Sequence, residues 1–245
     1  MKATWCISVR KSSLKRQVVS PLACTFTRKT VFLWAVVWGS SSTAVLGGML
    51  AANEWLARPF TSAQILQFAA AREGHPDNVA PALYGGLVLG VTHENGLHIE
   101  QLELPELRVV VVLPDFPLLT SEARAALPTQ VPFHDAIFNA AHTPLVIRAL
   151  QTADYDLLTI AMQDHLHQPY RIPLIPGMAQ AFAAAQEAGA KGVALSGAGP
   201  SLIAFAPDGH EAIGEAVTAV FAKAGLSSRT WLLDVNTTGS SITTG

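Results

Sequence analysis

Acidic residues are missing from the first 53 residues of this 245-residue chain, which nevertheless carry seven of its sixteen lysines and arginines. All eighteen aspartates and glutamates follow, so the chain changes from a basic segment to an acidic one. Cysteine is scarce as well: Cys6 and Cys24 both lie in the acid-free segment. Two cysteines without metal-ligand partners at suitable spacing exclude a disulfide framework and a metal cage. Their absence from the later residues suits a reducing cytosol.

Charge is sparse throughout, at 14% of residues with a net charge of −2. Such a balance argues against nucleic acid as the main partner, because nucleic-acid-binding proteins present strongly basic surfaces. Half of the residues are hydrophobic, which is enough for a sizeable core. The length allows one large domain or two small ones.

Hydrophobic periodicity predicts helices and strands that do not alternate regularly, and therefore an α+β fold. Thr61 and Gln64 predict a capping box, and Asn95-Gly96 predicts a hairpin turn. Helices are predicted over residues 40–56, 63–72, 133–150, 155–166, 178–188 and 211–224, and strands over 86–91, 97–101, 108–113, 193–195, 202–206 and 229–235. The polar tail from Asn236 onward is expected to fray.

The densest group of polar side chains lies in residues 73–86, EGHPDNVAPALYGG. Glu73, His75, Asp77 and Asn78 place two carboxylates, an imidazole and a carboxamide within six residues. The interleaved glycine and proline predict a tight turn rather than the face of a helix. A polar turn between two packed elements is a common place for a binding site.

Two further segments have the composition of phosphate-binding loops. Gly39 precedes the hydroxyls of residues 40–43 and then an apolar run, which predicts a capped helix start whose free N–H groups favour an anion. Residues 197–201, GAGPS, lie between two predicted strands, and their small side chains permit a close turn.

These motifs resemble those of the homoserine kinases, a family of GHMP kinases. Residues 73–86 resemble its middle motif, residues 195–201 its C-terminal glycine-rich motif, and residues 163–171, QDHLHQPYR, its segment on the homoserine side. The resemblance extends from about Gly39 to Ile242.

The resemblance implies a two-lobed, GHMP-kinase-like fold. Residues 39–105 would form the remainder of an incomplete N-terminal, ATP-binding domain, and residues 106–245 a ferredoxin-like C-terminal domain. Residues 1–38 have no match in the family.

The implied reaction is transfer of phosphate from ATP to the hydroxyl of L-homoserine, giving O-phospho-L-homoserine in threonine biosynthesis. It would take place in the cytoplasm with Mg²⁺ and without a membrane or nucleic-acid partner, and the resemblance allows a homodimer. The family acts mainly by positioning and charge stabilisation, so no residue is assigned as a catalytic base.

The resemblance also implies roles for individual residues. Arg124 and Arg171 would clamp the substrate carboxylate, since a guanidinium binds a carboxylate through two hydrogen bonds. Glu73 and Ser41, or Ser40 in its place, would bind Mg²⁺. The ATP phosphates would contact Gly39, Ser40, Ser41, Ser42, Gly197 and Gly199. The ammonium and hydroxyl end of the substrate would contact His75, Asp77 and Asn78. His165 and His167 receive no role.

The chain departs from the family in its first residues. Val37-Trp38-Gly39 stands where the family has Gly-Leu-Gly, and residues 1–37 contain no counterpart of its Asn…Gly-Phe-Asp motif. We therefore expect little kinase activity. We consider three interpretations of the unmatched residues 1–38: a basic transit peptide, part of a membrane anchor over residues 30–53, and a non-native start. A non-native start is preferred over a transit peptide because the N-terminal part of the family's domain is missing. It is preferred over a membrane anchor because glycines and serines interrupt the apolar run.

Two other functions remain open from the sequence. Another GHMP small-molecule kinase is the first, although the turn at His75, Asp77 and Asn78 and the two arginines suit an amino-acid substrate. A catalytically inactive, truncated remnant is the second, and the altered phosphate loop favours it.

Overall fold

The computed structural model describes residues 40–94 and 96–242, with the side chains of Ser40 and Ser41 left out of the description. The predictions for residues 1–39, including the phosphate contact of Gly39 and the substitution at Trp38, lie outside the described residues, as does the turn residue Asn95. The helices are α1 Ser40–Trp55, α2 Ser62–Glu73, α3 Val79–Tyr84, α4 Thr120–Ala125, α5 Phe133–Thr152, α6 Tyr155–Ala161, α7 Gln168–Arg171, α8 Met178–Glu187 and α9 His210–Lys223. The strands are β1 Leu87–His93, β2 Gly96–Leu102, β3 Arg108–Pro114, β4 Gly192–Leu195, β5 Leu202–Phe205 and β6 Ser228–Asp234.

The described part of the amino-terminal lobe consists of α1, α2, α3 and a β-hairpin. Helix α2 begins at the predicted capping box: the backbone N–H of Gln64 donates to Thr61, and the Gln64 side chain accepts from the Thr61 backbone. Strands β1 and β2 pair antiparallel from Leu87 with Leu102 to His93 with Gly96. A small core joins these elements, with Leu46, Ile65, Leu66, Ala69, Val79, Ala80 and Leu83 buried.

The carboxyl-terminal lobe is built on a four-stranded antiparallel sheet in the order β4-β5-β3-β6. Its central strand β3 is a continuous run of valines, of which Val110 faces Ala204 on one neighbour and Leu232 on the other. Helices precede β4 and β6, so the chain follows a β-α-β-β-α-β path, as in ferredoxin-like folds. Helix α9 contributes Ile213, Val217 and Phe221 to the buried core. The predicted α+β class and ferredoxin-like lobe are therefore confirmed.

The polar tail crosses back to the amino-terminal lobe. The backbone N–H of Gly86 donates to the Asn236 carbonyl at 2.8 Å, and that of Ser240 donates to the Leu83 carbonyl at 3.1 Å. The Asn236 side chain in turn accepts from the backbone of Thr238 and Gly239, which folds residues 236–239 into a turn. The prediction that the tail frays from Asn236 is wrong, because its backbone polar groups find partners at the junction of α3 and β1.

Two other sequence predictions are wrong. Residues 79–84 form α3 instead of continuing the turn, because Val79, Ala80 and Leu83 bury one face and Pro81 falls near the helix start, where its missing N–H is tolerated. Helix α6 ends at Ala161 and not at residue 166, because the backbone amides of residues 165–168 bond to the side chains of Asn139 and Asp164 instead of to helix carbonyls. Among the described residues, no helix is both long and apolar enough to cross a membrane.

Candidate active site

Glu73 lies where α1 and α2 meet. It is the last residue of α2, and its carboxylate oxygen Oε2 accepts a hydrogen bond of 2.6 Å from the hydroxyl of Ser42 in the first turn of α1. Ser42 is only 1% exposed, while Glu73 is half-buried. A carboxylate and a hydroxyl separated by 31 residues in sequence therefore share one position at the start of a helix, where the helix dipole favours anions.

The turn after Glu73 is shaped by Gly74, whose φ of 87° ends α2 in the left-handed conformation. His75 follows with its Nδ1 atom buried and without a hydrogen-bond partner in the described structure. The nearest carboxylate oxygen, Oδ2 of Asp77, is 3.9 Å away, which is too long for a hydrogen bond. An unbonded buried imidazole nitrogen beside a carboxylate and Asn78 is a suitable partner for a ligand hydroxyl or ammonium group.

We predict that Ser42→Ala lowers the free energy of unfolding by about 1–2.5 kcal/mol. Losing a hydrogen bond to a carboxylate costs about 1.5–3 kcal/mol, and the better helix propensity of alanine offsets about 0.5 kcal/mol. Urea denaturation measures the change. Ser62→Ala, at an exposed serine in the first turn of α2, is the matched control and should be close to neutral. Equal changes in the two variants would contradict a stabilising contact between Ser42 and Glu73.

A second group of residues surrounds Arg171, at the end of the short helix α7. Its Nε atom donates to the Ala123 carbonyl in α4 at 3.1 Å, and Nη1 donates to the Gly197 carbonyl in the glycine loop at 3.4 Å. Burial and the nearby positive charge of Arg124 lower the pKa of Arg171, while Asp164 acts in the opposite direction. Arg171 therefore contacts the backbone of the residue that precedes Arg124 and also contacts the glycine loop.

A positive group that is partly removed from water favours an anionic partner. A guanidinium has five N–H donors, and the two contacts of Arg171 leave three for a ligand. The loop beside it is compact: Gly199 is buried and its N–H donates to the Ser196 carbonyl at 3.2 Å. The arrangement suits a small carboxylate held against the glycine loop.

Asp164 was not predicted as a site residue, although it lies within the motif of residues 163–171. Its Oδ1 accepts from the N–H of Leu166, and its Oδ2 accepts from the N–H groups of His167 and Gln168. Burial would raise the pKa of Asp164, but these amides together with the Asn139 side chain hold it below its usual value. An aspartate two to four residues ahead of a helix with proline in its first turn is a recognisable start signal, and it would have indicated this role.

Family comparisons identify the fold around these two groups. The model of the GHMP kinases N terminal domain matches residues 38–86, and that of the GHMP kinases C terminal domain matches residues 146–223. A solved homoserine kinase from Cytophaga hutchinsonii superposes with a TM-score of 0.76 at 33% identity, over 82% of this chain and 66% of that one. The mevalonate kinase of L. major has the same fold, with a TM-score of 0.63 at 20% identity. The protein is thus a GHMP kinase by fold.

Sequence similarity narrows the assignment. The chain is 46% identical to a homoserine kinase from Synechococcus sp. over 83% of its own length and 68% of that relative. It is 49% identical to a homoserine kinase from Gloeobacter violaceus, of whose length it spans 62%. The chain belongs to the homoserine kinase family.

Proposed function

We propose that this chain binds ATP with Mg²⁺ and L-homoserine, and that its site serves transfer of the γ-phosphate to the homoserine hydroxyl. Family membership supports the reaction class. The observation that carries the substrate is that Arg171 donates both to the Gly197 carbonyl and to the carbonyl of Ala123, the residue that precedes Arg124. These contacts bring two arginine positions to the glycine loop, and an amino-acid carboxylate needs positive groups of this kind.

Glu73 and Ser42 fit the metal part of this proposal. Magnesium takes oxygen ligands and usually only one or two carboxylates from the protein, and these two side chains present such oxygens at one point. When bound, the ion would neutralise charge on the transferred phosphoryl group. Ser41 remains a proposed ligand from the family resemblance, together with the phosphate contacts of Ser40 and Gly39.

His75, Asp77 and Asn78 would face the other end of the substrate. The buried Nδ1 of His75 can accept from or donate to a hydroxyl, and the Asp77 carboxylate is suited to an ammonium group. No residue is proposed as a base, because positioning and charge stabilisation account for most of the catalysis in phosphoryl transfer. A cytoplasmic location is part of the same proposal, supported by the scarcity of cysteine.

We predict that Arg124→Ala and Arg171→Ala each weaken L-homoserine binding roughly 30- to 150-fold, which is the effect of losing about 2–3 kcal/mol of charge-assisted hydrogen bonding. Calorimetric titration measures this binding, and titration with Mg·ATP should show little change. Binding is the preferred measurement because Val37 and Trp38 depart from the family's phosphate loop and are expected to slow the transfer itself.

A substrate analogue makes the assignment specific. The diol that replaces the homoserine carboxylate with a hydroxymethyl group should bind weakly to the unsubstituted protein and equally weakly to both arginine variants. Arg148→Ala, at an exposed arginine of α5, is the control and should leave all three affinities unchanged. Parallel losses of homoserine and Mg·ATP affinity would contradict the carboxylate clamp.

A further inference from the structure

The segment of residues 163–168 contacts one largely polar face of α5 through Asp164 and His165. Asp135, Phe138, Asn139 and His142 are spaced by three and four residues, so they share a helix face, and the side chains of the first three contact this segment. A polar stripe is unusual on the covered face of a helix, because buried polar groups cost free energy unless they are bonded. The contacts on this stripe show why it is tolerated.

Asn139 uses both ends of its carboxamide on this segment. Its Nδ2 donates to Oδ1 of Asp164 at 2.6 Å, and its Oδ1 accepts from the backbone N–H of His165 at 2.9 Å. The His165 ring stacks on Phe138 with centroids 3.8 Å apart, and its Nδ1 lies 2.8 Å from Oδ1 of Asp135. The segment is therefore fixed at its backbone, at a ring and at a carboxylate.

Asp164 connects this segment, which is fixed on α5, to the start of α7. Its two oxygens bind the backbone amides of three consecutive residues, which orients the first turn of the helix. Gln168, the first residue of α7, then accepts a hydrogen bond from the N–H of Leu195 at 3.0 Å. Arg171, the last residue of α7, donates to the carbonyls of Ala123 and Gly197. A short helix with anchors at both ends leaves its arginine little freedom.

We propose that Asp164, held in place by Asn139, is a positioning residue that sets the location of the Arg171 guanidinium for the substrate carboxylate. This inference rests on the proposed function and deepens it, since it explains how a four-residue helix can present a precisely placed cation. The proposal also gives His165 a function, because its ring stacks on Phe138 and so holds the segment against α5.

The chemistry of the contacts requires a carboxylate at position 164. Oδ1 faces the Asn139 amide and the N–H of Leu166, while Oδ2 faces two further N–H groups. All four partners are donors, so Asp164→Asn places an NH₂ group against donors in either orientation. The substitution preserves size and removes acceptance at one of the two oxygen positions.

Asp164→Asn should therefore weaken L-homoserine binding about 10- to 100-fold, because small displacements of a binding group have effects of that order. Mg·ATP binding should change less than about twofold, with both titrations done at a temperature where urea denaturation shows the variant to be folded. Asp156→Asn, at an exposed aspartate of α6 that contacts Lys191, is the matched control and should leave homoserine binding unchanged.

A reciprocal exchange separates positioning from general damage. In Asn139→Asp with Asp164→Asn, the amide at position 164 can donate to the carboxylate at 139, while its oxygen still accepts from His167 and Gln168. The double variant should recover part of the lost homoserine affinity, because the contact with position 139 is restored while the N–H of Leu166 still faces the new NH₂ group. Each single variant should lose that affinity. Failure of the exchange to recover affinity, or equal losses for both ligands in Asp164→Asn, would overturn the proposal.

An NMR measurement keeps this inference separate from the identity of the substrate. The Nε–H signal of Arg171, assigned by its disappearance in Arg171→Lys, should exchange slowly with solvent and should exchange at least about tenfold faster in Asp164→Asn. If the unsubstituted protein fails to bind homoserine, the proposed function falls while this readout still decides the positioning role. An unchanged Arg171 signal in Asp164→Asn would refute the positioning role whichever substrate is bound.

Discussion

Glu73→Gln should remove most of the magnesium-dependent part of ATP binding. We expect Mg·ATP affinity to fall roughly 30- to 150-fold, equivalent to about 2–3 kcal/mol, because a carboxylate charge is lost from the ion's surroundings. The affinity for ATP in excess EDTA should stay the same. The fold should persist, since glutamine keeps the size of the side chain and can still accept the hydrogen bond from Ser42.

The comparison with metal-free ATP is the decisive part of this experiment. Glu215→Gln, at an exposed acid of α9, removes the same charge from the surface of the other lobe and serves as the control. Calorimetric titrations of both variants with and without Mg²⁺ give four affinities relative to the unsubstituted protein. A Glu73→Gln variant that loses affinity equally with and without the metal would refute the metal role.

Gly239→Ala should cost about 3 kcal/mol of unfolding free energy. A Cβ at this position would lie 2.5 Å from the carbonyl carbon of Tyr84 and closer still to the Leu83 carbonyl oxygen, and its φ of 70° disfavours any side chain. Relief of the clash requires the tail to leave the α3–β1 junction, which breaks the hydrogen bonds to Leu83 and Gly86. Each such bond contributes about 0.5–1.5 kcal/mol.

Gly209→Ala provides the control for backbone strain alone. Gly209 has a φ of 67°, and a Cβ there would meet nothing within 4 Å, so we expect a loss of about 1 kcal/mol. Gly85→Ala should disrupt the same contact between the tail and the α3–β1 junction, because its Cβ would overlap the backbone nitrogen of Gly239. Urea denaturation of Gly85→Ala, Gly239→Ala and the double variant should show strong non-additivity. Additive losses would indicate that the two glycines act independently.

Local signals in the sequence predicted the elements well. The capping box of Thr61 and Gln64 was confirmed because both partners lie within one helical turn, and the valine run of β3 was confirmed because a strand buried on both faces is continuously apolar. The prediction of a turn for the middle motif, residues 73–86, was only partly right. Its turn at residues 74–78 follows from glycine and proline, whereas α3 depends on apolar contacts with α1 and α2 that no local pattern reveals.

The candidate site divides in the same way. Glu73, Arg124 and Arg171 were selected from motifs, and their roles stay predictions until binding is measured. The amides that Asp164 binds lie within four residues of it, but its contact with Asn139 spans 25 residues and the pairing of Ser42 with Glu73 spans 31 residues. Contacts over such separations are set by helix packing, which one sequence read locally does not determine.

The contact between the tail and the α3–β1 junction has a consequence for synthesis of the protein. Gly86 receives its partner Asn236 only after 150 further residues have been translated. At about 5–20 residues per second, the first lobe waits roughly 8–30 s for this contact. Its junction therefore stays open to solvent, chaperones and proteases until residues 236–240 have been translated and have left the ribosome.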